Sequence, residues 1–202
     1  MLLYDMRTAM NPRRVRIFLA EKGISLPVQQ VDGSRGENKS PEFLKINSLG
    51  KLPVLQLDDG SYLTESIAIC RYLESIYPEK PMLGTGALEQ ARIEMWIRRL
   101  ESEIVLPITQ AFRHTGDYWV GKFPQLPASG QWWRERATES FAWLEQELGD
   151  REYVASESYS VADIVLQCAL IVGRATGTPI PDACPRLQAW YAKVCDRPTA
   201  RA

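Results

Sequence analysis

The stretch from Gly50 to Ser66 constrains the fold more than any other part of the chain. It starts with an apolar run interrupted by Pro53, and an Asp59-Gly60 pair separates that run from a shorter one. An Asp-Gly pair between two apolar runs is a strong signal of a β-hairpin. We therefore expect two antiparallel strands joined by a two-residue turn, with a helix that begins at Thr64-Glu65-Ser66.

The residues before this stretch predict two strands and two helices. Leu2 to Tyr4 is a short apolar run, and Leu26 to Val31 has the composition of a second strand. A helical pattern lies between the two runs, so they form a βαβ unit and should pair in parallel. A short second helix is predicted to follow at Ser40-Pro41, with the serine as its cap and the proline at its first position.

The helix between these strands has clear signals at both ends. Asn11 is predicted to be its N-cap and Pro12 its first residue, because asparagine accepts hydrogen bonds from first-turn amides and proline fits the first helical position. Gly23 follows a basic last turn and is typical of a C-terminal cap. Three basic side chains are expected on the solvent-exposed face of this helix: Arg13, Arg14 and Arg16.

The order βαβ-α-ββα within residues 1–78 is that of a thioredoxin-like domain. Residues 79–84 are rich in turn-forming residues and are predicted to be a linker, and residues 85–202 show only helical periodicity. Within that second part, Pro107 is expected to kink a long helix. The residues Ser160 to Asp163 resemble a capping box at the start of a buried helix.

The composition excludes several classes of function. Lys and Arg number 24 against 25 Asp and Glu, so the charge balance gives no general attraction to nucleic acid or to a membrane surface. His114 is the single histidine, and the four cysteines show no metal-binding or C-x-x-C spacing, so no metal is expected. The amino terminus lacks a signal-peptide pattern, and a cytoplasmic protein is therefore expected.

The residues Lys51-Leu52-Pro53, followed across a hairpin by Glu65-Ser66, resemble the glutathione-binding half of bacterial-type cytosolic glutathione transferases. The resemblance covers the whole chain. It implies an α/β thioredoxin-like N-terminal domain followed by an all-α helical domain. It also implies that Pro53 is cis and that Leu52 pairs its backbone N–H and C=O with the cysteine of glutathione, while Lys51 reaches a carboxylate of the ligand.

Glu65-Ser66 also carries a physical argument. A helix start offers free amides and a partial positive charge, which suit a carboxylate. Ser66 can donate its N–H and its hydroxyl to the α-carboxylate of the γ-glutamyl group, while Glu65 faces the adjacent ammonium. The resemblance further places Lys39, in the loop before the second helix, against the glycyl carboxylate.

The chain departs from these relatives at the position that activates the thiol. The family places a serine, cysteine or tyrosine there, whereas this sequence has Ala9 in place of the serine. Three residues could replace it. Thr8 is the preferred candidate, Asn11 offers an amide donor, and Tyr4 lies at the end of the first strand.

An electrophile pocket is expected between the two domains, with Met10, Phe112 and His114 as candidate lining residues. The resemblance implies a homodimeric detoxification enzyme that presents glutathione as a thiolate to a small hydrophobic electrophile. Two alternatives stay open. One is a non-catalytic member that binds glutathione or another protein. The other is a glutathione-dependent reductase or isomerase, although a reductase would need a cysteine at the helix start, which this chain lacks.

Overall fold

The structure is a computed structural model that describes residues 1 to 202 as two compact units. The first unit comprises Met1–Pro81 and Arg201–Ala202, and the second comprises Met82–Ala200. The first is α/β and the second is entirely helical, so the predicted fold class is confirmed. No helix has the length and apolar character needed to cross a membrane.

A four-stranded mixed sheet forms the centre of the first unit. The strand order is β2-β1-β3-β4, with β1 parallel to β2 and antiparallel to β3, and with β3 antiparallel to β4. This confirms the predicted thioredoxin-like arrangement. The elements are β1 (Leu2–Asp5), α1 (Met10–Lys22), β2 (Val28–Gln30), α2 (Pro41–Ile46), β3 (Val54–Gln56), β4 (Tyr62–Thr64) and α3 (Ser66–Ile76).

Helix α1 begins two residues earlier than predicted. Ala9 is the N-cap in an extended conformation, and the Arg13 N–H donates to the Ala9 C=O. The prediction of Asn11 as the cap is therefore wrong, because Asn11 is already the second helical residue. Pro12 becomes the third, where its missing N–H costs nothing since the first amides of a helix have no acceptor within it. The predicted end is confirmed, with Gly23 in the left-handed conformation.

The hairpin between β3 and β4 has a longer connection than the predicted two-residue turn. Residues 57–61 join the strands, and the Leu57 N–H donates to the Ser61 C=O. The Asp59 carboxylate accepts from both the N–H and the hydroxyl of Ser61. Aspartate commonly bonds to the backbone two residues onward, and this local turn is what widens the connection.

Five helices form the second unit. They are α4 (Ala87–Leu100), α5 (Leu106–Thr115), α6 (Pro127–Leu148), α7 (Val161–Ala175) and α8 (Pro185–Cys195). A π-helical turn, Glu101–Val105, joins α4 to α5, and Pro107 is the second residue of α5. The predicted effect of Pro107 thus takes the form of a widened turn, which accommodates a residue that has no N–H and whose ring would clash with the preceding turn.

The start of α7 confirms the predicted capping box. The carboxylate of Asp163 accepts from the N–H and the hydroxyl of Ser160 and is fully buried. Its other oxygen accepts from the Val154 N–H and from Trp190 Nε1. One side chain therefore joins α7 to the preceding loop and to α8.

Candidate functional site

Helix α3 begins with an uncapped first turn. Ser66 is its first residue, and no side chain bonds to the free amides that follow. Glu65 precedes it at φ 66° and ψ 119°, a backbone region that residues with a side chain rarely adopt. Such a conformation costs about 1–3 kcal/mol and occurs mainly at functional sites. The start of α3 thus offers free N–H donors beside a strained glutamate.

The Leu52–Pro53 peptide bond is cis, as the resemblance implied. The buried Asn47 amide shapes the loop before it, because it accepts from the Leu49 N–H and donates to the Lys51 C=O at 2.9 Å. The main-chain N–H and C=O of Leu52 form no hydrogen bond within the chain. Both groups are therefore free to pair with a peptide.

These features meet at one small cleft in the first unit. The residues that line it are Asn11, Asn47, Lys51, Leu52, Pro53, Glu65 and Ser66. The cleft thus brings together most of the predicted glutathione-binding residues and adds Asn11 from α1. Asn47 was missed by the sequence reasoning, since an asparagine after a short helix gives no signal beyond helix termination.

Arg14 is a second residue that the sequence reasoning missed. It was predicted to be exposed, but only 3% of its surface is exposed in the structure, so that prediction is wrong. Helix α1 packs against α3, and the enclosed side of α1 includes this position. Arg14 Nη1 donates to Ser66 Oγ at 3.4 Å, and Ser66 is itself only 5% exposed.

Arg16 also departs from the predicted exposed face. Its guanidinium pairs with the fully buried Asp5 carboxylate and donates to the Arg7 C=O at 2.8 Å. Gln30 donates to the same carboxylate and accepts from the Arg7 N–H. These contacts fix the connection between β1 and α1, in which Thr8 and Ala9 lie.

Two predicted residues lie away from the cleft lining. Lys39 is exposed at the end of a 3-10 turn, and its Nζ donates to the Leu49 C=O at 2.8 Å. Thr8 is exposed in the connection between β1 and α1. Neither is among the residues that line the cleft, whereas Asn11 is.

Tyr4 belongs to the core of the first unit. It is 7% exposed and clusters with Val31, Phe43 and Val54. Its ring lies edge-on to Phe43 at 6.1 Å. Burial, and then the neighbouring Tyr62, raise the pKa of the Tyr4 hydroxyl. These contacts explain the residue without a role in chemistry.

Of the three candidate electrophile-pocket residues, one lies in the first unit and two lie in the second. Met10 is the half-buried first residue of α1 in the first unit. In the second unit, the Phe112 ring stacks with that of Tyr118 at 6.4 Å. His114 is buried in α5, where its Nδ1 accepts from the Leu126 N–H at 3.1 Å.

Comparison with known proteins gives concordant matches to both units. The family model described as "Glutathione S-transferase, N-terminal domain" matches residues 1–75, and "Glutathione S-transferase, C-terminal domain" matches residues 133–198. "Glutathione S-transferase 2" of Saccharomyces cerevisiae is 34% identical over 206 residues, which cover 100% of this chain and 88% of the yeast protein.

Two solved structures match along almost their whole length. A glutathione S-transferase domain-containing protein from Marinobacter aquaeolei VT8 has a TM-score of 0.93 and 32% identity, with 99% of this chain and 100% of that chain covered. Gtt2 from Saccharomyces cerevisiae has a TM-score of 0.92 and 34% identity, with 100% and 99% covered.

Proposed function

The chain belongs to the glutathione S-transferase family, and we propose that it binds glutathione in the cleft beside Ser66 and presents it as a thiolate to a small hydrophobic electrophile, to which the sulfur of the intact tripeptide bonds. The full-length similarity to named transferases supports this function. The relatives that are named glutathione S-transferases favour this function over the alternatives of a non-catalytic binding member or a glutathione-dependent reductase or isomerase.

The observation that carries the proposal is the shared cleft of Leu52 and Ser66. The free amides at the start of α3 and the Ser66 hydroxyl suit the α-carboxylate of the γ-glutamyl group, because a helix N-terminus favours an anion. Glu65 suits the ammonium on the same carbon. The two groups together recognise a zwitterion, which few ligands other than an amino-acid end provide.

The rest of the tripeptide is proposed to lie along the loop from Lys51 to Pro53. The Leu52 N–H and C=O would pair with the main chain of the cysteinyl residue, in the manner of an added β-strand. Lys51 and Lys39 would face the glycyl carboxylate, for which Lys39 would exchange its bond to the Leu49 C=O. Lys39, Lys51 and Glu65 together carry a net charge of +1, which complements the net charge of −1 from the two carboxylates and one ammonium of glutathione.

Activation of the thiol is proposed to use the start of α1. Lowering a thiol pKa by two units requires about 2.7 kcal/mol, and one hydrogen bond to a charged group contributes about 1.5–3 kcal/mol. The Met10 and Asn11 N–H groups have no acceptor within α1, and Asn11 lines the cleft. We therefore assign the donor role to Asn11 in preference to Thr8, which was the first candidate from sequence.

Calorimetric titration with glutathione tests the binding proposal. Wild-type protein is expected to bind with one site per chain, and Ser66→Ala is expected to weaken binding about tenfold by removing one hydrogen bond to a charged group. Ser75→Ala makes the same change on the exposed surface of α3 and should leave affinity unchanged. Equal affinity in wild type and Ser66→Ala would contradict the placement.

The electrophile contacts are proposed for Met10, Phe112 and His114. Phe112→Ala is expected to raise KM for a chloronitroaromatic electrophile and to leave KM for glutathione unchanged, because the ring would contact only the second substrate. Steady-state kinetics with each substrate varied in turn measures this difference. An equal change in both constants would argue against the assignment.

A homodimeric state, a cytoplasmic location and a role in detoxification complete the proposal. None of the four cysteines forms a disulfide, which suits a reducing compartment. The second unit has a surface cleft lined by side chains of both charges, which form ion pairs with one another within the chain, and such a surface can be complementary to a second copy of itself. The lining residues are Arg99, Glu103, Arg136, Glu139, Ser140, Trp143 and Glu147. Light scattering should give twice the 22.9 kDa chain mass.

A further inference from the structure

We infer that Arg14 is a positioning residue for glutathione, which holds the Ser66 hydroxyl as a hydrogen-bond donor toward the γ-glutamyl carboxylate. This inference rests on the proposed function and extends it to a residue outside the lining of the cleft. Arg14 lies in the middle of α1 and Ser66 begins α3, and both side chains are buried.

The donor and acceptor chemistry of the two side chains fixes the direction of the bond. A guanidinium has only donors and stays charged at all relevant pH values, so Ser66 Oγ must accept from Arg14 Nη1. A hydroxyl has a single hydrogen, and that hydrogen is then committed to some other acceptor. Arg14 therefore occupies one of the two acceptor positions of the Ser66 hydroxyl, and the hydroxyl hydrogen is left to donate to a carboxylate in the cleft.

The charge of Arg14 acts in the same direction. A buried cation interacts with its neighbours more strongly than an exposed one, because the surrounding medium screens it less. The free amides of α3 already favour an anion at this point. The buried guanidinium adds a full positive charge behind the first residue of the helix, so a carboxylate is favoured over a neutral or positively charged group.

The test uses two ligands that differ only in the proposed partner. Calorimetry would compare glutathione with 4-aminobutyryl-cysteinyl-glycine, which lacks the α-carboxylate of the γ-glutamyl group. Arg14→Gln is expected to weaken glutathione binding about tenfold and to change binding of the analogue less than twofold. Arg71→Gln, the same substitution on the exposed surface of α3, should change neither.

Kinetics and a second variant separate positioning from a general loss of structure. Arg14→Gln should raise KM for glutathione about tenfold with kcat at saturation unchanged, because the carboxylate is remote from the sulfur. Arg14→Lys keeps the buried charge, and we expect it to show the same selective loss for glutathione, about threefold. Thermal unfolding of each variant confirms that the measured protein is folded.

The outcomes distinguish this inference from the proposal on which it rests. If the wild type fails to bind glutathione, both are overturned. If the wild type binds, and the folded Arg14 variants lose affinity equally for both ligands or lose none, the role of Arg14 is overturned and the proposed function stands.

Discussion

Asn11 shows how the position of one helix start changes the role of a side chain. As an N-cap, Asn11 would accept hydrogen bonds from first-turn amides with its side-chain oxygen. The helix instead begins at Met10, and Ala9 is its N-cap. The side-chain amide of Asn11 is consequently not required for capping. Asn11 is one of the residues that line the cleft. The same shift leaves the Met10 and Asn11 N–H groups without helical acceptors.

We predict that Asn11→Ala raises the pKa of enzyme-bound glutathione thiol by about one unit, because it removes one hydrogen bond to the thiolate. The thiolate absorbs in the near ultraviolet, so a spectroscopic pH titration of the complex measures this pKa. Conjugation at pH 7 should slow about threefold, because the thiolate fraction at that pH falls when the pKa rises from about 6.5, two units below the usual thiol value, to about 7.5.

Thr8→Ala provides the comparison for this prediction. Thr8 is exposed and absent from the cleft lining, so its removal should leave the thiol pKa within a few tenths of a unit of the wild-type value. A large shift of the thiol pKa in Thr8→Ala, with no shift in Asn11→Ala, would show that Thr8 and not Asn11 activates the thiol.

At the scale of elements, the proposed anion site depends on the junction between β4 and α3. Strand β4 ends at Thr64 and α3 begins at Ser66, so only Glu65 lies between them. The chain therefore changes direction from strand to helix at this one residue, and Glu65 adopts a positive φ of 66°. A serine, threonine, asparagine or aspartate at this N-cap position could cap the amides of α3, which would then be occupied and not available to the proposed ligand.

The start of α7 depends on a carboxylate in the interior. Burial raises the pKa of Asp163 to about 6, against the opposing effect of its hydrogen-bond donors. In the unfolded chain the same group ionises near its ordinary value of 3.8. Between about pH 4 and 6 the folded protein therefore retains a proton that the unfolded chain has lost.

This difference predicts a pH dependence of stability. The raised pKa contributes up to about 3 kcal/mol of stability below pH 4, and the contribution is lost as pH rises through 6. The Asp163→Asn variant cannot titrate at this position. Compared with this variant, the wild type should lose about 3 kcal/mol of its free energy of unfolding between pH 4 and 7. Urea unfolding at both values measures the free energies. A difference between the two proteins that is independent of pH would contradict the prediction.

For the whole molecule, the sequence predicted most of the architecture. The strand pairing, the helical second part and the capping box at Ser160 were all readable because each depends on local patterns. The cis bond at Pro53 came from family resemblance. The predicted glutathione residues at the hairpin and at the α3 start do meet in one cleft.

The features that were missed depend on contacts distant in sequence or on local bonds that compete with the predicted turn. Arg14 is charged and looked exposed, but its neighbour in space is Ser66, on a different helix. The longer hairpin connection depends on the Asp59 side chain bonding to Ser61, which competes with the two-residue turn that Asp-Gly favours. The π-helical turn before Pro107 reflects packing as well as the proline.

Ligand binding should stabilise the folded chain as a whole. Glutathione at one hundred times its Kd stabilises the protein by about 2.7 kcal/mol, which corresponds to a rise in Tm of about 5–10 °C for a chain of this size. Differential scanning fluorimetry with and without glutathione measures the shift. The Ser66→Ala variant, at the same glutathione concentration, should show a smaller rise, and an equal rise would argue for a different binding site.

The most direct test of the account is a crystal structure of the protein with glutathione. We predict that the α-carboxylate of the γ-glutamyl group lies within about 3.2 Å of the Ser66 N–H and hydroxyl. The cysteinyl main chain should pair with Leu52, and the sulfur should lie nearer to Asn11 than to Thr8. A ligand bound outside the cleft, or a γ-glutamyl carboxylate with no contact to Ser66, would contradict the account.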